Sequence, residues 1–227
     1  MTLPPVEANP YPWPFDHNWS QSDTALLVID MQIDFLKPNG FCDQMGLDVS
    51  LTSAAVEPTR TVLARMRGLG FTIIHTREGH RRDLADLNDN KRWRAARMGA
   101  EIGRPGPCGL VLTRGERGWD MVPELCPLDG ETIVDKPGKG GFYATDLELL
   151  MQRKGIRNLV FAGVTSDCCV HTTMTNANDK GYECLLLADC SAALDRRNHA
   201  MIEAITAKRG GQFGAVAHSS ALLAALG

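Results

Sequence analysis

The sequence predicts an α/β protein: a doubly wound, mainly parallel, six-stranded sheet with helices on both faces, in three layers. Short runs that are apolar at every position alternate with amphipathic stretches of helical period, and glycines or charges mark the joints between them. Strands apolar throughout are covered on both faces, and helical crossovers between them make the strands parallel.

The elements follow in order. Ala25 to Ile29 is the first strand, ending at Asp30. A helix with Val62, Leu63, Met66 and Leu69 on its apolar face is stopped by Gly68 and Gly70 before a second strand, Phe71 to His75. From Glu78 to Asp129 the chain is rich in Arg, Gly and Pro, reading as a long excursion with a short helix around Lys91 to Arg97 and a short strand near Leu110. Glu131 to Asp135 is the next strand. Thr145 begins a helix with a capping box to Glu148, and Leu147, Leu150 and Met151 form its buried face. Asn158 to Gly163 is a strand, Asp167 to Asp179 a helix, and Glu183 to Leu187 a strand. A helix at Asn198 to Lys208, a strand at Phe213 to Ala217 and a helix at Ser219 to Leu226 complete the pattern.

Composition excludes several classes. A net charge of −3, from 24 Lys+Arg against 27 Asp+Glu, gives no footprint for a nucleic acid partner. No apolar run approaches the ~20 residues that cross a bilayer. The N-terminus lacks the basic and apolar regions of a secretory signal, so a cytoplasmic location is expected, with no membrane partner. Seven cysteines, an odd number without CxxC spacing, are expected to be free thiols and to hold no metal.

Ligands of doubly wound sheets collect at the carboxyl ends of strands. Asp30 follows the first strand there, Lys136 follows the strand ending at Asp135, and Cys169 follows Gly163 through a short turn. Each has a bland reading, as a turn residue, a solvated amine and a small buried hydrophobe. Together they are the acid, cation and thiol that nucleophilic attack on a carbonyl requires. With Asp167 as helix cap, Cys169 falls in the first turn, where the helix dipole is expected to lower its pKa. Cys168 shares that turn, and one residue rotates a helical side chain by about 100°. Pattern alone does not choose between the two thiols.

The stretches ALLVIDMQIDF, VDKPGKGGFYATDLELLM and FAGVTSDCCVHTTMTNANDKGYECLLLADCSAA resemble the signature regions of isochorismatase-like cysteine hydrolases, from about Thr24 to Ala217. The segments YPWPFD, HTREGHRRDLADLNDNKRWR, PGPCG and TRGERGWDMVPEL look like the biuret and triuret hydrolase branch. Residues 1–23 then read as a Pro-rich arm and 24–227 as the isochorismatase-like domain.

The resemblance implies Asp30 as general base, Lys136 as its electrostatic partner and Cys169 as nucleophile. It also implies a cis peptide at Val164–Thr165, an oxyanion hole from the N–H groups of Thr165 and Cys169, no cofactor, a small neutral ureide as substrate and a homotetramer. Because the Asp-x-His pattern of zinc-bearing members is missing, His75 and His80 read as structural or substrate-shell groups. Phe35 and Phe142 are candidate apolar walls for a flat substrate, or ordinary core residues. Glu78 and Asn88 are candidate partners for its amide groups, or solvated loop positions. Arg209 stands where the biuret branch is expected to carry glutamine; its guanidinium suits a longer ureide, favouring triuret over biuret, with Gln212 as an alternative in a shifted register and a helix-end cap as the bland reading.

The expected reaction is hydrolysis of a ureido C–N bond through a carbamoyl thioester on Cys169. Competing expectations are ureidoacrylate hydrolysis, with Arg209 on the substrate carboxylate, a non-catalytic partner-binding domain, and a redox sensor using Cys168 and Cys169.

Overall fold

The computed structural model describes residues 3–227. A mainly apolar segment, Thr24–Ile29, forms β1, buried along its whole length. Three short helices, α1 (Ile33–Leu36), α2 (Phe41–Gln44) and α3 (Val49–Ser53), lead to α4 (Val56–Gly68) and β2 (Thr72–Glu78). The excursion contains α5 (Asp89–Arg97) and a two-stranded hairpin of β3 (Pro105–Gly106) and β4 (Gly109–Leu110). Then follow β5 (Thr132–Lys136), α6 (Leu147–Arg153), β6 (Asn158–Val164), α7 (His171–Asp179), β7 (Glu183–Ala192), α8 (Arg196–Gly211), β8 (Ala215–Ala217) and α9 (Ser219–Leu226). The main sheet is six-stranded in the order β5-β2-β1-β6-β7-β8, with every pair parallel.

Successive residues of a strand face opposite sides, and β1 divides accordingly. Leu26 and Val28 join a core with Val62, Leu63 and Met66 of α4, whereas Ala25, Leu27 and Ile29 join a second core with Met174 of α7 and Met151 of α6. Complete burial of such side chains contributes about 1.5–3 kcal/mol each. The reversal of strand order between β1 and β6 puts the ligand-binding edge at the carboxyl ends of β2, β1, β5 and β6.

Several boundaries differ from the sequence reading, each for a local reason. β2 runs on through Thr76, Arg77 and Glu78, because its charged end is paired with Asp135 and Lys136 of β5 rather than solvated. The Asp167 helix resolves into a wide π-helical turn, Ser166–Val170, capped by Thr165, with the α-helix beginning at His171. Asp167 instead accepts a hydrogen bond from Asn198 Nδ2 at 2.8 Å. At α6 the expected capping box does not form: Asp146 holds the N-cap position, the Thr145 hydroxyl accepts from the Leu147 N–H at 3.4 Å instead of the Glu148 N–H, and Glu148 pairs with Lys180 at 2.6 Å.

The Pro-rich arm is not separate from the domain core. Val6, Trp13 and Trp19 are fully buried in it, Trp19 donates to the Pro4 carbonyl at 2.9 Å, and Asn9 exchanges two backbone hydrogen bonds with Val216 of β8. The arm thereby covers one open edge of the sheet, which would otherwise be a template for pairing with other chains. Among the described residues no helix is long and apolar enough to cross a membrane.

Candidate active site

Asp30 follows β1 with φ of 50°, a left-handed conformation uncommon outside glycine. Its N–H donates to the Thr76 carbonyl at 3.1 Å and its own carbonyl accepts from the Gln32 N–H at 2.7 Å, so β2 and the turn hold it in place. The fully buried carboxylate takes the Thr76 hydroxyl at 2.6 Å and faces the Lys136 ammonium at 2.6 Å. Burial pushes its pKa up, against the pull of Lys136.

Lys136 ends β5 and is itself fully buried. It donates to the carbonyls of Gly138 and Lys139, both at 3.0 Å, which aims Nζ back over the strand ends. Burial alone would lower its pKa, but Asp30, the Cys169 sulfur and Glu78 together raise it, so the amine stays charged.

Cys169 lies in the π-helical turn after the cis Val164–Thr165 peptide. Gly163, with φ of 125°, precedes this unit; any Cβ there would collide with the Ile29 carbonyl, so glycine lets β6 approach β1. The Thr173 hydroxyl donates to the Cys169 carbonyl at 2.6 Å and accepts from the Gly141 N–H at 2.9 Å, tying the turn to the loop after β5. The sulfur donates to Glu78 Oε2 at 3.1 Å.

Glu78 is the residue the sequence reading placed least well. Its expected alternative as a solvated loop acid is overturned: it is the fully buried last residue of β2. Around its carboxylate stand Lys91 at 2.7 Å, Lys139 at 3.3 Å and Lys136 at 3.5 Å. Burial would raise its pKa, but the three ammonium groups outweigh that and hold it well below the usual range. Gln32 fixes its backbone, accepting the Glu78 N–H at 2.7 Å and donating to the Glu78 and Trp119 carbonyls at 3.0 and 2.9 Å.

The expected lowering of the Cys169 pKa is also corrected. The adjacent Cys168 sulfur and complete burial push it well up, and the charges of Glu78 and Asp30 add to this against Lys136. Cys168, half-buried, is the thiol whose pKa falls, to about 7, through its interaction with Cys169 and despite partial burial. The helix dipole is a smaller effect than two buried carboxylates beside the sulfur. All seven cysteines are free thiols.

Donor atoms of Asp30, Glu78 and Cys169 lie within 4.8 Å of one another, a spacing that a metal ion would accept. Lys136 already contacts both carboxylates, and Lys91 and Lys139 add two more positive charges beside Glu78, so a divalent ion would have to displace ammonium groups already paired there. His75 pairs with Glu131 at 2.8 Å and His80 with Asp86 at 3.2 Å. Burial pushes the pKa of both histidines down.

Next to this cluster a cavity of about 470 Å³ is lined by Lys91, Arg94 and Asn88 on one side and by Lys139 and Tyr143 on the other, with Phe41 and Met45 as apolar wall. Asn88 thus reaches the cavity, as an exposed residue before α5. Phe35 does not: it is 5% exposed in the core, edge-on to Phe41, which takes the place on the wall. Phe142 stacks on Tyr182 beside Lys180 and lines a neighbouring cavity, while its neighbour Tyr143 lines the one beside Lys91. Arg209 and Gln212 are at the carboxyl end of α8, next to Tyr11 and the start of β8. A parallel crossover puts that end at the amino edge of the sheet, opposite Cys169, so within this chain they stand apart from the thiol cluster. Lys91, Lys139 and Gln32 were the candidates missed in the sequence; Lys91 is on α5 in the excursion after β2 and Lys139 in the loop after β5, and the carboxyl ends of those two strands are neighbours, a signal that was available.

An acid, a lysine and a thiol brought together at the carboxyl edge of a doubly wound sheet define a cysteine-hydrolase type of α/β protein. The chain belongs to the isochorismatase domain family, whose profile matches residues 24–217. It is similar to the ureidoacrylate amidohydrolase RutB of Stutzerimonas stutzeri, 32% identical over 175 residues covering 75% of this chain and 70% of that protein. The enzyme of the same name from Azorhizobium caulinodans is 30% identical over 174 residues, covering 74% and 76%. The fold matches a cysteine hydrolase from Pseudomonas syringae with TM-score 0.77 at 21% identity, over 100% of this chain and 98% of that one. It also matches the N-carbamoylsarcosine amidase of Thermoplasma acidophilum with TM-score 0.65 at 24% identity, covering 87% and 96%.

Proposed function

We propose that this hydrolase is a cysteine amidohydrolase of the ureidoacrylate type, cleaving the ureido C–N bond of a small ureido acid. The observation that carries the reading is the cationic wall of Lys91, Arg94 and Lys139 beside the buried Asp30, Lys136 and Cys169. A substrate carboxylate pairs with that wall, and the ureido carbonyl reaches the sulfur. The names of the curated relatives agree with this class. Lys91 and Lys139 share the single carboxylate of Glu78, so with Arg94 the wall keeps an excess of positive charge that a substrate carboxylate pairs and a neutral triuret does not, and Arg209, on which the preference for triuret rested, stands at the opposite edge within this chain.

In the proposed mechanism the Cys169 proton passes to Asp30 as sulfur attacks the carbonyl carbon, and the N–H groups of Thr165 and Cys169 receive the oxyanion. Lys136 keeps the site from accumulating negative charge. Collapse breaks the C–N bond, Asp30 returns the proton to the leaving nitrogen, and a carbamoyl thioester remains. Nitrogen conjugated to an acrylate leaves more readily than the terminal amino group, because its lone pair is already drawn away from the carbonyl. Asp30 then activates water, whose attack regenerates the thiol and releases carbamate, the source of free ammonia.

Ammonia release from ureidoacrylate, biuret and triuret tests the reading. Ureidoacrylate is expected to exceed the neutral ureides in kcat/KM by at least about tenfold, and Cys169→Ala to abolish turnover while Cys168→Ala retains it. Faster cleavage of triuret, or loss of activity in Cys168→Ala alone, would falsify it.

A further inference from the structure

The thiol does not hydrogen-bond to the base. An oxygen of Asp30 is within 4.8 Å of the sulfur, yet the S–H donates to Glu78 Oε2 at 3.1 Å. Glu78 is held rigidly, with its backbone locked by Gln32 and its other oxygen by Lys91 and Lys139. We propose that Glu78 is a positioning residue for the nucleophile: it accepts the Cys169 S–H, and on substrate binding a ureido N–H takes over that acceptor, turning the thiol proton toward Asp30. This deepens the amidohydrolase reading and rests on it.

The geometry gives the reason for the exchange. A sulfur in attacking position is about 3–3.5 Å from the carbonyl carbon. An acceptor 3.1 Å from that sulfur is therefore within reach of the nitrogens bonded to the same carbon. The carboxylate does not take the proton itself, since three ammonium groups keep it ionised, whereas Asp30 faces a single ammonium. When the S–H bond breaks, its electron pair stays on sulfur and the proton forms an O–H bond on Asp30, so the charge of the cluster is conserved. The ionisable groups around the sulfur are Asp30 after β1, Glu78 on β2, Lys136 at the end of β5, Lys139 in the loop after it, Lys91 on α5 and Cys168; His80, near Lys91 and Glu78, has its pKa pushed down by burial. Among these, removing the Glu78 charge alone takes away repulsion of a thiolate and an acceptor for substrate together.

The test uses a Cys168→Ala parent, so that Cys169 reports without its neighbour. Glu78→Gln is expected to lower the pH midpoint of Cys169 alkylation by iodoacetamide by about one unit, to reduce kcat on ureidoacrylate at least about tenfold and to raise KM, with Glu78→Asp restoring the high midpoint. A midpoint that stays or rises, or kcat and KM both at parental values, overturns the proposal. Should the glutamine variant fail to fold, the infrared S–H band of the wild-type enzyme decides. Assigned by difference from Cys169→Ala, it is expected below the frequency of a free thiol, and a free-thiol frequency overturns the proposal. Neither the alkylation profile nor the infrared band needs turnover, so a wild-type enzyme that rejects ureidoacrylate counts against the proposed function alone.

Discussion

At the scale of single residues, two adjacent thiols have opposite characters. Cys168 is half-buried with a pKa drawn down to about 7, and Cys169 is sealed between carboxylates with its pKa pushed up. Rapid alkylation near neutral pH, with no substrate added, is accordingly expected at Cys168, although Cys169 carries the proposed chemistry. Peptide mapping after brief iodoacetamide treatment checks this, and preferential labelling of Cys169 would contradict it. Asp30, Lys136 and the Cys168–Cys169 pair were legible as strand-end positions, but the choice of Cys169 over Cys168 came from the family resemblance and not from the pattern. Glu78 was less so. Thr76, Arg77 and Glu78 break the apolar run after His75 and read as a loop, yet here the charges are internally paired and the strand continues. Phe142 was named as a wall while Tyr143 was not considered, because a loop has no period from which to assign facing.

At the scale of elements, the excursion between β2 and β5 is fastened by two buried polar side chains from the segment after β1. Gln32 holds Glu78 and Trp119, and Asp34 accepts the N–H groups of Phe41 at 3.0 Å and Leu112 at 3.2 Å. Gly118 lies so close that any Cβ would strike the Asp34 carboxylate. Burial pushes the Asp34 pKa up to about 6, against those two donors. Asp34→Ala leaves two buried N–H groups without an acceptor and is expected to cost about 2–4 kcal/mol, measured by urea unfolding; a loss below ~0.5 kcal/mol would contradict this role. Such contacts were invisible in sequence, since nothing in the Arg-, Gly- and Pro-rich excursion announces which backbone groups need a partner. The helix bearing Arg209 shows the converse limit: its position in sequence suggested a ligand, and only the crossover direction places it at the far edge.

At the scale of the molecule, alternating apolar and amphipathic segments specified the layers, because every main strand is flanked by helices and both faces are cored. The arm was harder to place. Its prolines suggested an extended chain, but the buried Val6, Trp13 and Trp19 make it part of the same core. Stability against pH has a component outside the active site. Glu131 takes both arms of Arg67 at 2.6 and 2.7 Å, His75 at 2.8 Å and the Leu128 N–H at 3.0 Å. Against the upward push of burial, these partners hold its pKa down to about 2 from 4.5. A depressed carboxylate stabilises the fold above its unfolded pKa, so this contribution is complete above about 4.5 and is lost as pH falls through about 2. The stability gap between wild type and Glu131→Gln, followed by thermal unfolding, should be constant above that window and shrink within it. A gap independent of acid would contradict the pairing.

The proposed chemistry depends on sulfur 169 carrying a carbamoyl group in every cycle. Rapid acid quenching during turnover of ureidoacrylate, followed by peptide mass mapping, reads this directly. The expected result is a carbamoyl adduct on Cys169 that appears within one turnover and vanishes when substrate is exhausted. An adduct confined to Cys168, or none on either thiol while ammonia is released after one-turnover quenching under conditions that preserve thioesters, contradicts it.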